Sequence, residues 1–162
     1  MRLLFVGGSS IGHIAPLIAV AEVLQAEPDR QIHVLCTDQQ DERAILEKAH
    51  LPFSALPFSR ARLRQAWSIV SAFFRARTFL RTWKPDVVFS KGGTVSLPVC
   101  FAAHLERIPI VLHESDIVMG RANRIVSRWA SVICLGSPIV NFPLSIFHWS
   151  KPIIVAEIFI RL

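Results

Sequence analysis

The sequence predicts an α/β fold built on a doubly wound parallel sheet. Short apolar runs rich in branched residues recur along the chain, and stretches with helical spacing separate them. A parallel strand covered by helices on both faces reads as such a run. Regular alternation of the two gives right-handed βαβ units. In sheets of this kind ligands bind beyond the strand C-termini, which directs attention to the residues after each run.

The first run, Leu3–Val6, leads into Gly7-Gly8-Ser9-Ser10-Ile11-Gly12-His13, and a helix over Ile14–Gln25 follows with Pro16 in its first turn. The opening has some likeness to a signal peptide. Gly7, Gly8 and His13 interrupt it, however, and no small-residue cleavage site follows, so it reads as the first strand of a cytoplasmic protein. Strand Ile32–Cys36 and helix Asp41–His50 come next, then a long helix over Leu63–Trp83. Strand Val87–Ser90, helix Val95–Leu105, strand Ile110–His113, helix Arg121–Trp129 and strand Val132–Leu135 complete the pattern. One domain is expected over residues 1–140, with an irregular tail over 141–162 that carries Pro143, Pro152 and an apolar Ile153–Leu162 run.

At 162 residues the chain is about one domain and can bury a core without disulfides or metals. Its apolar share of 52% and mean hydropathy of +0.44 fit a sheet buried on both faces or a surface that meets lipid. No window reaches the roughly 18 uncharged apolar residues of a membrane-spanning helix. Cys36, Cys100 and Cys134 lie far apart in apolar segments, so buried thiols are expected, with no disulfide framework and no metal site. A net charge of +6 suits an anionic partner.

Three loops carry candidate chemistry. The first glycine loop opens a helix, whose N-terminal N–H groups suit an anion, and His13 beside it is placed to act as a base near neutral pH. An ordinary tight turn is the plain alternative. The loop is not the dinucleotide fingerprint, because the spacing differs and no acidic residue closes the second strand. The second loop, Lys91-Gly92-Gly93-Thr94-Val95-Ser96, also opens a helix, and a solvated Lys91 is its bland reading. Together the two glycine loops suggest a diphosphate held between helix N-termini. The third loop, His113-Glu114-Ser115-Asp116, precedes Gly120, Asn123 and Arg124. Its acids serve either as caps of the next helix or as groups facing the same crevice.

Taken together the loops resemble the MurG family, transferases that add N-acetylglucosamine to a lipid-linked muramoyl-pentapeptide. The matches are Gly7, Gly8, Gly12, His13 and Pro16; Pro85–Val88, Gly92, Gly93, Val95, Ser96 and Pro98; and Ile108, Pro109, His113, Glu114, Gly120, Asn123 and Arg124. The resemblance covers roughly residues 1–140 and implies the Rossmann-like N-terminal half of a GT-B fold, with the tail leading toward an interdomain linker. It implies His13 as the base or a group that positions the acceptor, and Gly7, Gly8, Gly12, Gly92, Gly93, Ser96, Glu114 and Asn123 as acceptor-binding residues. It needs no cofactor. Ile11, Thr94, Leu97 and Ser115-Asp116 depart from the family pattern, and the half that binds the uridine-diphospho sugar is missing.

Arg60, Arg62, Arg64, Arg75, Arg77, Arg81 and Lys84 form a run with no acidic residue, interleaved with Trp67, Phe73, Phe74, Phe79 and Trp83. The segment reads as a helix packed on the sheet with solvated arginines, or as an interfacial helix whose aromatics and arginines meet anionic lipid. On the second reading Trp67, Phe74, Arg75, Arg77 and Arg81 bind the membrane. Nucleic acid is not expected, since no recognised motif accompanies the patch.

The expected function is therefore the acceptor half of a hexosyltransferase in peptidoglycan precursor synthesis, peripheral on the cytoplasmic face of the membrane. Its expected acceptor is a polyprenyl-diphosphate-linked sugar, and it is inactive without a donor-binding half, which a separate chain could supply. The alternative is a catalytically silent membrane-binding module.

Overall fold

The structure, a computed structural model, describes residues 1–8, 10–59, 62–116, 118–136 and 153–154. Its elements are β1 (Arg2–Gly7), α1 (Ile11–Gln25), β2 (Gln31–Thr37), α2 (Gln40–Lys48), β3 (Phe53–Leu56), α3 (Arg62–Trp83), β4 (Val87–Gly92), α4 (Ser96–Leu105), β5 (Ile110–Glu114), α5 (Arg121–Val126), β6 (Val132–Leu135) and β7 (Ile153–Ile154). All the described strands pair in parallel, in the order β3-β2-β1-β4-β5-β6-β7. This is the doubly wound sheet that the alternation predicts. Its winding reverses between β1 and β4, and the crevice at such a switch point is where ligands bind.

Strand side chains alternate between two apolar layers, as a pleated strand requires. Leu4 and Val6 join Ala72, Ala76 and Leu80 of α3 and Val99, Ala102 and Ala103 of α4. Leu3 and Phe5 pack on the opposite face with Ile14, Leu17, Ile18 and Ala21 of α1 and Leu46 of α2. Each fully buried Leu, Ile or Phe contributes about 1.5–3 kcal/mol, so both helical layers are held mainly by apolar burial. Cys36 and Cys100 are buried free thiols, and loss of water pushes both up to about 12. They behave as small hydrophobes. Cys134 is half-buried.

The structure differs from the sequence expectations in three places. Strand β3 was not expected, because Phe53-Ser54-Ala55-Leu56 has no β-branched residue and lies between two prolines. Among the described strands it is at the edge and pairs only with β2. Helix α1 starts at Ile11, which moves Gly12 and His13 out of the loop and into its first turn. Helix α5 stops at Val126, three residues early, where the Trp129 N–H bonds back to the Val126 carbonyl at 2.9 Å. Of the tail expected over 141–162, only Ile153–Ile154 is described, pairing with Ile133 and Cys134 of β6. The rest lies outside the described residues, as does Arg60. Among the described residues, no helix is long and apolar enough to cross a membrane.

Candidate active site

The C-terminal ends of β1, β4 and β5 open on one edge of the sheet. A crevice of about 220 Å³ lies there, lined by His13, Gly93, Thr94, Glu114, Asp116, Gly120, Arg121, Ala122 and Asn123. Four of the residues proposed from sequence, His13, Gly93, Glu114 and Asn123, therefore share one concave site although they are far apart in the chain.

The first glycine loop is shaped from below. Gly7 pairs across from Gly92, and a Cβ on Gly7 would stand 2.9 Å from Leu17 Cδ1. A Cβ on Gly8 would stand 2.8 Å from Glu42 Oε2. That buried carboxylate accepts the Thr37 N–H at 2.9 Å and the Thr37 hydroxyl at 2.7 Å. Gly12 is exposed in the first turn of α1, with nothing nearer to its Cβ position than Ser10 Oγ at 3.8 Å. His13, one residue on, is half-buried. Burial holds its pKa below the ordinary 6.5, and Lys91 lowers it further against the opposing charges of Asp116, Glu114 and Glu42. The imidazole is thus neutral near pH 7 and able to accept a proton.

The second loop turns through Gly92 at φ 100° and Gly93 at φ 87°, where side chains other than glycine are strained. A Cβ on Gly92 would also stand 2.5 Å from Asn123 Oδ1. Ser96 is buried and donates its hydroxyl to the Gly92 carbonyl at 2.7 Å, which holds the loop in shape. Lys91 is not solvated. It is 2% exposed, and its ammonium donates to Ser115 Oγ at 2.8 Å. Burial lowers its pKa, with Glu114 and Asp116 opposing.

In the third loop the acids do not cap α5, whose N-cap is Gly120 in extended backbone. Glu114 is buried and engaged at both oxygens: Oε1 accepts the Asp116 N–H at 3.0 Å and Oε2 accepts from Asn123 Nδ2 at 2.8 Å. It is an orienting group for Asn123 rather than an open base. Asn123 Oδ1 and both ring nitrogens of His113 are buried without a partner among the described residues. His113 stacks on Phe89 with ring centroids 6.0 Å apart, and burial, helped by Lys91, takes it down to about 4. Sequence reasoning missed Glu42, which carries no local signal, and Arg121, which it took only as the start of a helix.

The face between α3 and α4 is apolar. Ile69, Val70, Phe73, Leu97, Pro98, Phe101 and Trp129 line a groove of about 340 Å³. Phe73 meets Phe101 at 5.5 Å, and Phe101 meets Trp129 at 5.2 Å. Trp67 is 78% exposed and Phe74 59% exposed beside this groove's helix, with Arg75 also exposed. Arg77 and Arg81 are less available than the sequence suggests. Glu106, at the end of α4, accepts from their Nε atoms at 2.6 and 3.0 Å. The acid comes from another element, so the local run could not reveal it.

Residues 3–134 match the glycosyltransferase family 28 N-terminal domain. The UDP-N-acetylglucosamine--N-acetylmuramyl-(pentapeptide) pyrophosphoryl-undecaprenol N-acetylglucosamine transferase of Clostridium botulinum is 33% identical over 156 residues, 91% of this chain and 42% of that protein. The transferase of the same name from Shouchella clausii is 38% identical over 137 residues, 80% of this chain and 38% of its own length. The crystal structure of Acinetobacter baumannii MurG superposes with a TM-score of 0.81 at 29% identity, covering 93% of this chain and 44% of that one. The fold is accordingly that of the N-terminal half of a GT-B glycosyltransferase, and the likeness to MurG expected from the three loops holds along most of the chain. The chain spans about two fifths of the length of the curated relatives it matches. With the match running from the first strand to the sixth, the chain belongs to glycosyltransferase family 28 and carries that family's N-terminal domain.

Proposed function

We propose that this chain is the acceptor-binding half of a hexosyltransferase that adds N-acetylglucosamine to a polyprenyl-diphosphate-linked sugar in peptidoglycan precursor synthesis. One observation carries the reading: the polar crevice and the apolar groove both border the start of α4. Gly93 and Thr94 line the crevice, and Leu97 and Pro98, three to five residues on, line the groove. A ligand with a charged head and a long apolar tail suits that juxtaposition. The diphosphate lies against the two glycine loops and the prenyl chain leaves along the groove toward the membrane. Trp67 and Phe74 enter the headgroup region there, while Arg75 meets anionic lipid. The chain sits peripherally on the cytoplasmic face.

In this reading Asn123, held by Glu114, shapes the wall of the crevice against which the acceptor sugar lies. Neutral His13 takes the proton of the attacking hydroxyl as the oxygen bonds to the anomeric carbon of the donor sugar. The bond from that carbon to UDP breaks, and the nucleotide leaves with its electron pair. The relatives are named for a UDP-N-acetylglucosamine donor. We place its site in a second half, whether on the same polypeptide or a separate one.

The test is binding of a short-chain prenyl-diphosphate muramoyl-pentapeptide to the chain, followed by calorimetry. Saturable binding that weakens when Asn123→Ala is introduced supports the reading. A chain that binds the prenyl diphosphate no better than the matching prenyl alcohol refutes it.

A further inference from the structure

Lys91 differs from the other cations whose burial is described. Among the residues whose burial is described it is the only buried lysine or arginine. Its stem begins between the two glycine loops: Cβ lies 3.6 Å from the position that a Cβ on Gly7 would occupy, and Gly92 is its chain neighbour. Its ammonium ends under the third loop, at Ser115 Oγ. Ser115 in turn lies 3.5 Å from Asp116 Oδ1. An ammonium taken out of water needs a compensating role, because the isolated charge is costly to bury.

The crevice explains that need. Glu114 and Asp116 place two carboxylates in its lining, and Glu42 lies behind the first loop. A diphosphate entering there meets acids of its own sign, opposed by exposed Arg121 at the rim. We propose that Lys91 supplies the fixed positive charge that lets this acid-lined crevice accept a diphosphate. It is a positioning residue, acting through the field it sets on the loops rather than by touching the ligand. The inference rests on the reading of the crevice as a diphosphate site and adds to it the residue that makes the site electrostatically competent. The groups facing His13 are the same ones: Lys91 lowers its pKa, while Asp116, Glu114 and Glu42 raise it. Removing Lys91 therefore leaves a signature on His13 that a packing role would not.

The experiment uses the full chain and two substitutions. Lys91→Met removes the charge and keeps the stem; Lys91→Gln is the second neutral variant should methionine not fold. Ser115→Ala removes the hydrogen bond and keeps the charge. Binding of inorganic pyrophosphate, geranyl diphosphate and UDP is measured by calorimetry, the last two distinguishing a lipid from a nucleotide source. His13 is titrated by NMR. We expect the neutral variants to bind whichever diphosphate the wild type binds roughly tenfold more weakly, as loss of one nearby charge at low effective dielectric implies. The His13 midpoint should rise in them and stay near wild type in Ser115→Ala. Equal binding by wild type and Lys91→Met, or equal losses in Lys91→Met and Ser115→Ala, overturns the role of the charge alone. A wild type that binds none of the three overturns the diphosphate reading and this inference with it.

Discussion

Gly92 and Gly12 stand in loops that look alike in sequence, yet the structure assigns opposite signs to their replacement by alanine. At Gly92 the backbone has φ 100°, and a Cβ would stand 2.5 Å from Asn123 Oδ1 and 2.8 Å from Asn123 Nδ2. The backbone strain costs about 1–3 kcal/mol. Asn123 must also move, and the hydrogen bond it donates to buried Glu114 at 2.8 Å then breaks. A bond to a buried charged group is worth about 1.5–3 kcal/mol. Together the two effects come to roughly 3–6 kcal/mol, against a total stability of about 5–15 kcal/mol. With a urea slope of about 2 kcal/mol per molar, the unfolding midpoint of Gly92→Ala should fall by roughly 1.5–3 M. Gly12 has helical backbone and open space, so Gly12→Ala should be neutral or stabilise by up to about 1 kcal/mol. Urea titrations followed by circular dichroism measure both. A Gly92→Ala midpoint within about 0.3 M of wild type would show that Asn123 gives way at no cost. The close approach would then be no reason for glycine.

Three further outcomes follow from the same geometry. Glu106 occupies Arg77 and Arg81, so Arg75→Gln should weaken binding to anionic vesicles more than Arg77→Gln, and Glu106→Gln should strengthen it. At about 1 kcal/mol per basic residue these are severalfold changes in vesicle co-sedimentation, lost at high salt and absent with neutral lipid. His113 titrates near 6.5 when unfolded and near 4 when folded, so the unfolded chain takes up the proton first as pH falls. Stability is full above about 6.5 and drains toward pH 4 by up to about 3 kcal/mol, and His113→Asn should flatten that profile in denaturant titrations at stepped pH. The chain by itself should transfer no N-acetylglucosamine from its UDP derivative. Once a donor half is supplied, His13→Ala should abolish transfer and leave vesicle binding intact; loss of both would make His13 structural.

The strand runs, their alternation with helices and the three loops are legible in the sequence because they rest on local chemistry. A parallel strand must be apolar on both faces, and a glycine pair after it marks where the backbone turns sharply. Those signals were enough to place five of the seven described strands and to direct attention to His13, Gly93, Glu114 and Asn123. Edge strand β3 escaped them because pairing on one side asks little of a side chain, and Phe53–Leu56 supplies little. What the local signals do not contain is which charge faces which. Whether Lys91 is solvated or buried depends on Ser115, 24 residues away, and the partner of Arg77 and Arg81 lies on a different helix. Electrostatic pairing is a property of distance in space, and only the winding of the sheet brings those groups within reach. Sequence alone determined that the loops exist and what they are made of; the tertiary structure decided their charge balance, because the energy of a charge depends on its burial and on neighbours the chain order does not name.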